Sequence, residues 1–130
     1  MALIGEIAST PIRRAVDVLD RRLRRVEGSP WSPVSFMNGW VNYGTPQGNV
    51  MFRKENDLVR IRGAMKNGTI TDGTVVFVLP PGYRPPTNHN FATESAGAFA
   101  RFFVTPNGEV TISGASAASF HFSHTFSVTP

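Results

Sequence analysis

Three histidines, nine acids and no cysteine bound the chemistry open to this 130-residue sequence. Without a thiol there is no cysteine nucleophile, no thiolate metal site and no disulfide, which fits synthesis in a reducing cytosol. His121 and His124 lie three apart in FHFSHTFSV, a stretch with strand character. Their rings therefore project to opposite faces and do not chelate one ion together. His124 shares the phenylalanine face and is expected to be a hydrogen-bonded core or interface histidine, the alternative being a metal-bound ring of histidines about a three-fold axis. No serine sits in a nucleophile elbow. The acids Glu55, Asp57, Asp72, Glu94 and Glu109 show no spacing that pairs them for glycoside hydrolysis, so only carboxylates converging from distant segments would make an active site. GTPQGN, at 44–49, lacks both the GxxxxGK pattern and a following helix, and reads as a loop. The expectation is a non-enzyme with no catalytic residue, metal or cofactor.

The formal charge of +4 suggests nucleic acid until its distribution is considered. Arg13, Arg14, Arg21, Arg22, Arg24 and Arg25 crowd one N-terminal segment, offset by Asp17, Asp20 and Glu27. From Pro30 onward seven basic residues face five acidic ones. A nucleic-acid binder concentrates its basic charge on the folded domain, so no nucleic-acid partner is expected. Arg60, Arg62 and Lys66 are different, because they alternate along the solvent side of one strand. Such a row either discourages edge pairing or attracts an anionic polymer.

The elements that position these residues fall into two parts. From Trp31 on, the pattern is all strand. DLVRIRGAMK points Val59, Ile61 and Met65 one way and Arg60, Arg62, Ala64 and Lys66 the other. TVVFVLP is a continuous apolar run, expected to be covered on both faces. AFARFFVT, then PNG, then EVTIS forms a hairpin. FHFSHTFSV places Phe120, Phe122, Phe126 and Val128 opposite Ser123, Thr125 and Ser127. Turns are marked at Asn38-Gly39, Asn67-Gly68 and Asp72-Gly73. The fold class is mainly β, a β-sandwich or jelly-roll head over 30–130.

The head is preceded by a helix over 11–28, with Thr10 as N-cap, Pro11 at the first helical position and Gly28 and Pro30 at the stop. Its apolar residues Ile12, Val16, Leu19, Leu23 and Val26 alternate in steps of four and three, the a/d pattern of a coiled coil, with Arg22 and Glu27 as a g–e pair that favours parallel chains. That stripe is narrower than a core-facing helix needs. In AFARFFVT, moreover, Phe99 and Phe103 face opposite to Phe102 and Val104, which calls for burial on both sides of the sheet. Parallel copies packed around a symmetry axis answer both, with the five heptad residues as oligomerisation positions; a homotrimer is the expectation, while valine and leucine at a and d do not by themselves separate three copies from two. Residues 1–10, with a short apolar run broken by Glu6 and no basic leader, form an N-terminal attachment segment; neither signal peptide nor membrane insertion is expected.

VRIRGAMKNGTITDGTVVFVLPPGYRPP resembles a pattern in the C-terminal receptor-binding head domains of phage tail-fibre and baseplate proteins, especially from phages of Gram-positive hosts. There a strand ends in a glycine (Gly63), a glycine-bearing loop follows (KNGTITDG), and an apolar strand enters a proline-rich turn of Leu79, Pro80, Gly82, Tyr83, Arg84 and Pro85. Gly39-Trp40 and PNGEVTI add to the likeness, which spans Phe36 to Ser113. The resemblance implies a homotrimeric β-sandwich head on a coiled-coil stem, carried on a virion after synthesis in the host cytoplasm. Such a head binds host cell-wall saccharide or teichoic acid without catalysis and contacts other virion proteins through the N-terminus. Heads of this family usually follow a long shaft, whereas only 1–29 precede this one. That leaves a trimeric capsid decoration or head-fibre protein as the alternative.

A saccharide site needs a flat aromatic for the apolar face of a sugar and fixed polar groups for its hydroxyls. Trp40, Tyr43, Tyr83, Arg84, Asn88 and His89 are the ligand-binding candidates, with Trp31 and Asn90 beside them. The proline frame of PPGYRPPTNHN stiffens the loop and lowers its ordering cost. A structural explanation stands next to this one: Tyr83 and Arg84 lock the turn, and Trp40 belongs to the core.

Overall fold

The computed structural model describes residues 28–130. The attachment segment 1–10 and the stem helix, with Ile12, Val16, Leu19, Leu23 and Val26, lie outside the described residues except for the closing Gly28, whose φ is +90°. The strands are β1 (Ser32–Pro33), β2 (Val41–Asn42), β3 (Met51–Glu55), β4 (Leu58–Lys66), β5 (Val75–Val78), β6 (His89–Ser95), β7 (Ala98–Val104), β8 (Glu109–Ser113) and β9 (Phe120–Ser127).

β4 is the spine of the first sheet. It pairs with β3 through Leu58–Arg62 on one edge and with β9 along Leu58–Met65 on the other, while β2 takes its last two residues and β1 extends β3. The second sheet runs β5-β8-β7-β6, with every pairing antiparallel. That order is a Greek key, three hairpin-linked strands with β5 returning beside β8. The described residues are thus all-β, in two antiparallel sheets packed on one core.

Alternation explains the layers. Val59, Ile61 and Met65 of β4 and Phe120, Phe122 and Phe126 of β9 turn inward to meet Phe77, Phe102, Val104, Val110 and Ile112 of the second sheet. The rings lock edge to face across the layers: Phe102 to Phe122 at 4.9 Å between centroids and Phe77 to Phe122 at 5.6 Å. Each such side chain contributes roughly 1.5–3 kcal/mol by leaving water.

Two local features depart from the sequence pattern. β5, expected to be covered on both faces, is an edge strand. A register shift between Val75 and Phe77 turns the consecutive residues Val76 and Phe77 both inward, leaving Val78 43% exposed. Gly63 does not end its strand either, since β4 runs on to Lys66. Gly63 sits in the inward row opposite Phe122 with φ +115°, where a Cβ would collide with the backbone of Asn49 and Val50. Glycine there lets the 48–50 segment close over the sheet, and Ala64 N–H donates to the Gly48 carbonyl (3.2 Å).

The two sheets also join along one side, where β9 meets β6. Thr93 Oγ1 donates to the His121 carbonyl (2.7 Å). His124 Nδ1 accepts the Ser123 amide (3.0 Å), which puts its proton on Nε2, and Nε2 donates to the Ala92 carbonyl (2.8 Å). The same ring packs on Phe91 and Phe102.

Candidate ligand-binding surface

The proline-rich turn is tied to its neighbours by backbone and by Arg84. Leu79 N–H donates to the Gly108 carbonyl (2.8 Å), Tyr83 N–H to Pro80 (3.1 Å), and Arg84 Nε to Leu79 (2.8 Å). Gly108 of the PNG hairpin has φ +83° and lies so close to the Leu79 carbonyl and the Arg84 side chain that no Cβ fits. Arg84 thus braces the turn on itself, and the Leu79–Gly108 bond ties the turn to the hairpin. Tyr83 meets Phe52 edge-on at 5.1 Å, with Lys54 Nζ 5.9 Å from its ring and donating to the Gly82 carbonyl (2.9 Å). An open hollow of about 590 Å³ lies beside it, lined by Ser29, Lys54, Asn56, Asp57 and Tyr83.

The other candidates scatter. Trp40 is 2% exposed, its Nε1 donating to the Thr69 carbonyl (3.1 Å) and its ring covering Gly68, so no face is left for a sugar. Trp40 is a core residue. Tyr43 is half-buried beside the far end of β4, with its N–H on the Ala64 carbonyl and Lys66 Nζ 5.3 Å from the ring. Asn88 is exposed, while His89 stacks on Phe91 at 6.0 Å and lies 6.1 Å from Phe126. Phe126 pairs with Val59 and Val59 with Lys54, which puts His89 and Tyr83 at one end of the sandwich. Tyr43 is at the other, about seven residues and roughly 20 Å along β4. The six candidates form no single site.

The structure assembles something else on the outer face of the first sheet. Trp31, just before β1, lies over β3 and β4, with the Arg62 guanidinium 3.9 Å from its ring centroid and that of Arg53 at 5.4 Å. Arg53 pairs with Glu55 (3.1 Å). Arg60 and Arg62 are exposed, and among the described residues neither has a carboxylate within ion-pair distance. Across the β4–β9 ladder Arg60 stands opposite Thr125 and Arg62 opposite Ser123, both exposed. These residues line a depression of about 260 Å³ with Trp31; Arg62 also lines a second, of about 300 Å³, with Pro46, Gln47, Asn49 and Met51. Sequence alternation signals the arginines and the hydroxyls separately. Nothing in it signals that β4 and β9, some 60 residues apart, put them side by side.

The outer face of the second sheet sets aromatic rings among charges. Phe99 is 69% exposed and Phe103 half-buried on the same side of β7, with the Arg101 guanidinium 5.9 Å from the Phe103 ring. Exposed Glu94 stands opposite Phe99 on β6 and exposed Glu109 opposite Val78 on β5.

No protein-family model matches this sequence, and no curated protein matches it. Solved structures do match. One is the crystal structure of the receptor binding protein (gp15) of Listeria phage PSA, similar over 92% of this chain and 76% of that one, with a TM-score of 0.64 and 17% sequence identity. At that identity the likeness is one of fold: this all-β sandwich has the architecture of a phage receptor binding protein, the class of protein that the proline-rich turn resembles.

Proposed function

We propose that this chain is a non-enzymatic receptor-binding head of a phage or phage-like particle, a homotrimer that binds host cell-surface glycan, whether wall saccharide or teichoic acid. The observation that carries the reading is the fold likeness to a phage receptor binding protein over nearly the whole chain. Two further features support association of copies: the heptad residues Ile12 to Val26, and Phe99 of β7, 69% exposed, which is costly to leave in water on a free monomer. Modest affinity per head is then multiplied by three copies. The non-enzymatic part is supported by the commitments of the acids. Glu55 is paired with Arg53, Asp72 accepts the Gly114 amide (3.0 Å), and Glu94 faces His121 at 3.9 Å.

The test is adsorption of the labelled full chain to a panel of Gram-positive cells, before and after periodate oxidation of surface sugars, with empty phage capsids in parallel. Cell binding that periodate removes is expected. Capsid binding without cell binding would overturn the reading in favour of a decoration protein.

A further inference from the structure

We propose that the outer face of β4 and β9 is an anion-binding subsite, with Arg60 and Arg62 gripping successive negatively charged groups of a linear, acidic saccharide and Trp31 holding Arg62 in place. The inference rests on the receptor-binding reading and gives it a location and a ligand class.

Charge comes first. On this face β3, β4 and β9 carry Arg53, Arg60, Arg62 and Lys66 against one carboxylate, Glu55, which is engaged by Arg53. Arg53, directly opposite Arg60 in the β3–β4 ladder, is matched by Glu55. The charges left without a carboxylate among the described residues are those of Arg60 and Arg62, two apart on one strand, and their mutual repulsion is relieved by a bound anion.

Geometry comes next. Each free guanidinium has a hydroxyl across the strand, Arg60 with Thr125 and Arg62 with Ser123. A forked donor with an O–H donor next to it suits an oxyanion, since the fork takes two oxygens and the hydroxyl a third. Two such couples stand two residues apart, about 6.6 Å along the strand. The indole limits the positions open to the Arg62 side chain, so less rotamer freedom is lost on binding. Arg62 lines both depressions, of about 260 and 300 Å³. A monomeric anion would fill one hollow; a polymer would use both. Polar groups along the second, from Gln47 and Asn49, are placed for sugar hydroxyls.

Of the candidates weighed from sequence, Trp40 lies in the core and Arg84 braces its own turn. Trp31 is the aromatic that stacks on Arg62.

The test uses the full chain and the double variant R60Q/R62Q. Binding is measured by calorimetry to three polymers of similar length: phosphomannan for phosphodiesters, polygalacturonate for carboxylates, and neutral dextran. Wild type is expected to bind an acidic polymer with an affinity that falls steeply with salt, and the variant to lose about tenfold or more. Preference between phosphomannan and polygalacturonate identifies the anion. Equal binding by wild type and variant, no preference over dextran, or a change in solution mass on substitution (which would make this face a contact between copies) would each overturn the subsite. Labelled chains on cells keep the two readings apart. If the variant adsorbs as well as wild type, the subsite fails and the receptor-binding reading stands; if wild type adsorbs to no cell, the receptor-binding reading fails.

Discussion

The sandwich presents two outer faces that share one core and differ in chemistry. The first sheet turns out Arg60, Arg62, Ser123 and Thr125, beside a tryptophan stacked on arginine. The second turns out an exposed Phe99 and a half-buried Phe103 among charges of both signs, Arg101, Glu94 and Glu109, with Val78 at its edge. Alternation allows this because only every second residue serves the core, and the rest are left to other tasks. An exposed phenylalanine at 69% is costly unless something covers it, whereas an exposed arginine is not. Phe99 therefore suits contact between copies, and the cationic face suits a ligand that arrives through water.

The substitution with the largest expected effect removes what the faces share. Phe122→Ala takes away the ring that touches Phe77, Phe102 and Phe120, and should lower unfolding free energy by about 3–5 kcal/mol, read from the denaturant midpoint. Both faces should fail together. If one survives, the sheets do not form one cooperative unit.

His124→Ala comes next. It leaves the Ser123 amide and the Ala92 carbonyl without their partner at the seam between the sheets, at a cost of about 1–3 kcal/mol in the same measurement. A neutral result would mean that the edges of β6 and β9 are held by Thr93 and the ring packing instead.

These residues also show how much was legible in the sequence. The inward rows of β4 and β9 and the β7–β8 hairpin follow from period-two patterning and from Pro106-Asn107-Gly108, and the structure has them. The phenylalanines on the two sides of β7 were equally plain. Periodicity is a local signal, however, and three features are not local. The bulge that turns Val76 and Phe77 inward together depends on the β8 partner. The burial of Trp40 depends on Gly68, a turn away in the fold but 28 residues along the chain. The placing of Trp31 on Arg62 depends on the pairing of β1 with β3. For the candidate site, residue types are local and their grouping is not: the sequence offers aromatic and polar residues one by one, and the pairing of strands decides which of them stand together.

The smallest expected effect sharpens the contrast most. Arg60→Gln should leave stability within about 0.5 kcal/mol of wild type, shifted upward at low salt because its repulsion with Arg62, two apart on one strand, is gone. Thermal unfolding at two ionic strengths checks the sign. A clear loss of stability would show that the arginine row serves the fold and would remove its claim to be a surface kept for a ligand.

The proposal that copies join through Phe99 is tested most directly by the solution mass of the full chain, by light scattering, against that of Phe99→Glu. The account predicts three copies for wild type and a folded single chain for the variant, because a carboxylate at the centre of a buried contact is left without a partner. A single chain in both, or an unchanged trimer after the substitution, would contradict it.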